Sequence, residues 1–341
     1  MLNSKQTCFQ NNRFNKSRIL VAVSIMILLA LFFISLCIGK YRLLFGDILK
    51  ILNHTQENLM AVNVFYTLRL PRSIMAVLAG FGLSMAGSVY QTIFKNPLAS
   101  PDIIGVTSGA NVGAALCIVL ISGNMFIVSL GAFLGGIIAI TFVIGLVKLS
   151  GTNNIQTYVL SGIVISALSN GIIMTIKYFS DPENELGAIE FWTMGSLGSI
   201  TATKLIMILP FLLIGVVGIL LMRWDINLLS LSDDEGKALG ISVERSRFLV
   251  LLFSTLVVAS IVSVTGLISF VALIPPHIAR TLLQKNNFTT ILFSGILGAI
   301  LMTFSDCLAR SLLPSELPIS IITSFIGAPY LAFLVCKKNL V

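Results

Sequence analysis

Charge is scarce in this sequence. Lys, Arg, Asp and Glu make up 11% of the 341 residues, against about a quarter in a soluble globular domain. So few charges cannot cover a water-facing surface, which excludes a soluble fold. Histidine is rarer still, with only His54 and His277. Neither lies in an H-E-x-x-H pattern, so a zinc protease is excluded. No G-x-x-x-x-G-K-[ST] run occurs, so the chain has no P-loop of its own for ATP phosphates. Gly80-Phe81-Gly82 with Gly87 lies inside an apolar stretch and is no dinucleotide fingerprint. Paired carboxylates are missing from the apolar stretches. Five cysteines (Cys8, Cys37, Cys117, Cys307, Cys336) show neither paired nor metal-like spacing and read as small hydrophobes. These residues supply no catalytic group, no metal site and no cofactor. The net charge of +8 invites a nucleic-acid reading, but the basic residues are scattered between apolar runs, as the positive-inside rule places them.

Apolar residues are abundant, at 56% of the chain, and mean hydropathy is +0.98. Apolar runs occupy about 19–38, 73–94, 104–122, 125–147, 157–179, 204–222, 248–274, 288–308 and 318–336, and several are long enough to cross a bilayer without a charge. Lys5, Arg13, Lys16 and Arg18 precede the first run, and no small-x-small cleavage site follows it. This pattern predicts an uncleaved first span after a cytoplasmic tail of residues 1–18. A single transmembrane domain is expected over 19–338.

Nine spans would separate the termini, yet the N-terminus and Cys336-Lys337-Lys338 are both basic and both prefer the cytoplasm. An even number is therefore expected. The run from Phe248 to Pro276 holds Gly266, Pro275 and Pro276, and it reads as one span and a shorter one broken near Thr265-Gly266. The expected fold is an all-α polytopic membrane protein of about ten spans, the seventh and eighth made from this broken run. Most of the 22 basic residues then fall inside, with Arg69, Arg72 and Arg310 among those outside.

Gly105, Gly109 and Gly113, and likewise Gly131 and Gly135, recur every four residues, so small faces allow close helix approach. Pro71 stands where a first-turn proline opens the second span, and Glu316-Leu317-Pro318 opens the last one. Asn96-Pro97-Leu98-Ala99-Ser100-Pro101 is an inner turn. Asp306 and Arg310, one helical turn apart, suggest a local pair. In the loop of about 224–247, Ser232-Asp233-Asp234-Glu235 is an S-x-x-E capping box and Gly240 a suitable C′ glycine. The short charged helix between them is too polar for lipid, and reads equally as a docking element or a connector.

Taken together, Arg69-Leu-Pro-Arg72, Gly87-x-x-x-Gln91, Asn96-Pro-Leu-Ala99-x-Pro101, Phe191-Trp192-Thr-Met-Gly-Ser196, the Asp233–Gly240 segment, Gly266-x-Ile268-x-Phe270, Pro276-His277-x-x-Arg280, Asp306-x-x-x-Arg310, Glu316-Leu-Pro318 and Gly327-Ala-Pro329 follow one another over about 65–335. This ordered set resembles the iron-siderophore/cobalamin permease family of type II ABC importers. Ser232, Asp234, Gly236, Ala272 and Ser320 depart from the family's usual residues.

The resemblance implies ten spans in the bacterial cytoplasmic membrane, a second permease subunit (identical or paralogous), a cytoplasmic ABC ATPase dimer and an extracellular substrate-binding protein. It gives the chain no enzymatic activity of its own. Arg69, Arg72 and Arg310 would meet glutamates of the binding protein, and three outer arginines otherwise lack enough acidic partners. Ser232, Asp233, Asp234, Glu235, Gly236, Lys237, Ala238, Leu239 and Gly240 would form the coupling helix that seats in the ATPase. Pro71, Asn96, Pro97, Pro276, His277, Arg280, Asp306, Glu316 and Pro318 are expected to be structural. The implied cargo is a ferric siderophore or related iron chelate, with haem or cobalamin as alternatives. An ion-coupled secondary carrier is the rival of another class.

Overall fold

The computed structural model describes residues 2–39, 41, 43–121, 124–152 and 154–336, with side chains before Ser17 and at Val335 left out. The expected basic pair Lys337-Lys338 therefore lies outside the described residues. Helices α1 (Leu2–Cys37), α2 (Phe45–Leu52) and α3 (Leu59–Asn63) lead through a π-helical turn (Val64–Arg69) into α4 (Leu70–Ile93). A 3₁₀ turn (Pro101–Ile104) precedes α5 (Val106–Leu120), α6 (Met125–Leu149) and α7 (Ile155–Phe179). Then follow α8 (Glu185–Thr193), α9 (Ala202–Leu221), α10 (Arg223–Leu229), α11 (Asp233–Ala238) and α12 (Val243–Thr265). The chain ends in α13 (Ile274–Leu283), α14 (Phe288–Ser311) and α15 (Ile319–Cys336). No strand occurs among the described residues.

Each expected apolar run becomes a helix except 248–274, which is helical to Thr265 and irregular over 266–273. Among the described residues, seven spans are long and apolar enough to cross a membrane, and α5 and α15 are shorter apolar helices. The second span is longer than its sequence suggested, because α3, the π turn and α4 make one continuous rod from Leu59 to Ile93. Pro71 consequently does not open the helix. It follows the π turn, whose wider i→i+5 bonding relaxes the backbone just where proline removes a donor.

Burial ranks the helices. The span windows of the Leu59–Ile93 rod and of α12 are 78% and 72% buried, while α1 and α7 reach only 17% and 22%. The rod and α12 therefore form the centre, with α1 and α7 at the rim. Rim side chains such as Ile163, Leu168 and Met174 on α7 are large, apolar and exposed, as a lipid solvent requires.

Two features of the backbone fix the bundle. Helices α5 and α6 cross with Gly113 against Gly131 and Gly109 against Gly135, so close that a Cβ on Gly113 would run into the carbonyl of Gly131. The expected small-residue faces thus meet each other. The second feature is the break after Thr265, found where the sequence placed it. Gly266 turns with φ +71° and the chain stays irregular until α13 begins at Ile274. Carbonyls freed by the break are met by protein groups. Ser196 N–H donates to Thr265 O (2.7 Å), Ser320 Oγ to Leu267 O (2.8 Å), Ser84 Oγ to Val271 O (2.6 Å) and Gln91 Nε2 to Leu273 O (3.1 Å). Satisfaction of this kind is what lets a helix break inside lipid.

Candidate functional site

The residues singled out from sequence gather at the two ends of α4. At the end where α4 starts, Arg69, Arg72 and Arg310 line one open cavity of about 210 Å³, with Gly39, Tyr41 and Glu316 on its walls. All three arginines are largely buried, at 5–7% exposed. Arg72 Nε donates to Asp306 Oδ1 (2.9 Å) and its Nη1 to Glu316 Oε2 (2.9 Å). Arg310 Nη2 stands 3.0 Å from Asp306 Oδ2, which confirms the suggested i,i+4 pair. That contact is charge to charge rather than a well-aligned hydrogen bond, since Oδ2 has no donor in hydrogen-bond geometry.

Arg310 also donates to Ser35 Oγ (2.7 Å) and to Ser35 O (3.2 Å). Arg69 donates to the carbonyls of Leu36, Ile38 and Tyr41. The chain after α1 is thereby tied to α4 and α14. Two of the three arginines hold carboxylates of this chain, so the expected shortage of acidic partners narrows to two carboxylates standing against three guanidiniums. Sequence reading missed this because Arg72 and its acids are more than 200 residues apart.

The opposite end of α4 carries the second cluster. Ser232 Oγ accepts from Glu235 N–H (3.3 Å), and Glu235 Oε2 accepts from Ser232 N–H (2.8 Å), so the capping box is formed. Gly240 sits at C′ with φ +88°. Its N–H reaches Lys237 O, and Ile241 N–H reaches Gly236 O, which completes a Schellman stop. Asp233 takes Arg247 Nη2 with both oxygens, at 2.8 and 2.9 Å. Lys95, just past α4, stands 3.7 Å from Asp233. Helix α11 is thus pinned to α12 and to the end of α4 while Asp234, Glu235, Lys237 and Leu239 remain exposed.

Two acids of this helix, Asp233 and Glu235, ionise more readily than usual. For Glu235 the cause is the Ser232 N–H, then its hydroxyl. For Asp233, burial opposes the charge, and Arg247, Lys95 and Lys237 together outweigh it.

Most of the remaining motif residues lie in turns and near helix starts. Asn96 Oδ1 accepts from Leu98 N–H (2.9 Å), which forms the turn that Pro97 continues. Pro276 lies in the first turn of α13, whose His277 meets Tyr330 edge-on at 6.2 Å. Arg280 keeps its Nη2 buried without a partner. Pro318 stands just ahead of α15, and Ile319 N–H donates to Gly195 O (2.9 Å). Among the described residues, no group of three His, Cys, Asp or Glu could hold a metal.

An arginine-lined cavity at one end, a pinned polar helix at the other and a broken span between them characterise the molecule. The model of the FecCD transport family matches residues 27–337. The chain belongs to the FecCD transport family. Its FecCD relatives include the iron(3+)-hydroxamate import permease FhuG of Bacillus subtilis, 31% identical over 95% of this chain and 98% of that protein. The hemin transport permease HmuU of Yersinia pestis is 32% identical over 84% and 87%. The molybdate import permease MolB of Haemophilus influenzae is 36% identical over 89% and 91%. An ABC transporter described as of the metal-chelate type, solved facing inward, superposes with a TM-score of 0.83 at 35% identity, over 93% of this chain and 99% of that one.

Proposed function

We propose that this FecCD-family chain, a permease of the ABC importer class, forms as a dimer the membrane pathway for a ferric siderophore or related iron chelate. The observation that carries the reading is the pairing of two built ends on one buried helix rod. The arginine end supplies planar guanidiniums suited to carboxylates. The opposite end displays a capped helix fixed to two spans. FhuG and HmuU carry iron compounds by name, which supports an iron chelate, while MolB keeps a bare oxyanion as the second reading.

In this reading α13 is the eighth and shortest of ten crossings in a single transmembrane unit, and both termini face the cytoplasm of a bacterial inner membrane. The arginine end then faces outward toward a substrate-binding protein, and α11 faces a cytoplasmic ATPase dimer whose hydrolysis drives the pathway between its states. Asp306, the acid of the spans, is held in place by Arg72 and Arg310.

The test is uptake of a ⁵⁵Fe-labelled hydroxamate siderophore by proteoliposomes containing the permease and its ATPase, with binding protein supplied. Uptake should require ATP and should fall sharply with Arg69→Glu, whose native guanidinium bonds only carbonyls among the described residues. Uptake that persists without the ATPase would refute the reading. Uptake of molybdate instead would select the second one.

A further inference from the structure

The two carboxylates at the arginine end are not equivalent. Asp306 is fully buried between Arg72 and Arg310, whereas the Glu316 side chain is 35% exposed at the rim of the cavity and holds Arg72 Nη1 through a single oxygen. Among the described residues of the cavity three guanidiniums face two carboxylates, an excess of one positive charge in a partly desolvated site. A further carboxylate arriving from outside finds Asp306 inaccessible. The partner it can replace is Glu316.

Glu316 also sits beside contacts that lead to α15 and the broken span. It lies in the exposed turn that joins α14 to α15, lies against Gly198, and is followed by Leu317, whose N–H donates to Ala309 O (3.2 Å). Ile319, the first residue of α15, donates to Gly195 O. Gly195, at φ +68°, presses in turn on the backbone of Leu267, and Ser196 N–H caps Thr265 at the break. A shift of Glu316 therefore pulls on α15 and on the broken span together.

We propose that Glu316 is an internal stand-in for the docking carboxylate: it holds the seat on Arg72 until an acidic residue of the binding protein takes it, and its release carries docking to α15 and the break at Gly266. The inference rests on the docking reading above and adds the positioning residue through which docking is felt. The ligand chemistry is a protein carboxylate, since the seat is one edge of a guanidinium already fixed by Asp306.

The experiment uses the assembled permease–ATPase complex in lipid nanodiscs and its purified substrate-binding protein as probe. Glu316→Gln removes the competitor while keeping its shape. Binding should tighten about fivefold, the scale of one partly exposed ion pair, and ATP hydrolysis without binding protein should rise toward the stimulated rate. Arg72→Gln removes the seat and should weaken binding. If Arg72→Gln weakens binding while Glu316→Gln leaves it unchanged or weaker, the docking reading stands and the stand-in is overturned. If Arg72→Gln changes nothing, the docking reading falls and the proposal falls with it. Should Glu316→Gln fail to assemble, Glu316→Asp, which retracts the charge by one methylene, decides the matter, with tighter binding again expected and unchanged binding overturning it.

Discussion

Arg247 Nη2 lies 2.8 Å from one carboxylate oxygen of Asp233 and 2.9 Å from the other. This joins a polar helix in the loop to the buried start of α12, where Arg247 is 1% exposed. If α11 is the seat of the ATPase, Asp233→Asn should lower ATPase co-purification several-fold, since a partly exposed ion pair of this kind contributes up to about 1 kcal/mol. The melting temperature of the bundle should barely move. Deleting residues 232–240 should abolish co-purification altogether, and a complex retained after deletion would reduce α11 to a connector.

Acid should loosen the same helix. Asp233 and Glu235 both ionise below their ordinary values of 3.8 and 4.5 in the folded chain. Their contribution to stability is therefore present above those values and lost as pH falls through the lower folded ones. Hydrogen-exchange protection of residues 233–240, corrected for intrinsic rates, should hold from neutral pH to about 5 and decline below about 4. A double variant Asp233→Asn, Glu235→Gln should show no such decline.

At the other end, Asp306→Asn leaves Arg72 and Arg310 facing one neutral amide inside the bundle. Removing one member of a buried ion cluster costs about 3–5 kcal/mol. Low yield and a lowered melting temperature in detergent are expected. A variant as stable as the parent would show that water reaches these arginines.

The crossing of α5 and α6 offers a cleaner packing test. Gly113→Leu should cost at least about 1–3 kcal/mol, because the added side chain enters the backbone of Gly131. Gly145→Ala on α6 meets nothing within 4 Å and should be neutral. Thermal melting of the two variants side by side reads the difference.

What sequence disclosed and what it hid follow from range. The capping box, the C′ glycine, the i,i+4 pair of Asp306 and Arg310 and the break at Thr265-Gly266 are all local, and each is found where its spacing put it. The backward extension of the second span to Leu59 was hidden because Pro71 reads as a helix opener. Only a π turn, which has no sequence signature of its own, lets the helix run past it. The partners of Arg72 were hidden because they arrive from α14 and the turn after it. The task of Ser84 and Gln91 was hidden, since the carbonyls they serve lie on the broken span.

The internally hydrogen-bonded break between α12 and α13 has an electrical consequence. Carbonyls of Thr265, Leu267, Val271 and Leu273 are taken by protein donors, so the interrupted span does not need a file of water molecules to remain hydrogen-bonded. Such a file would conduct protons down the membrane potential. The bundle can thus interrupt a helix without laying a proton path along the break.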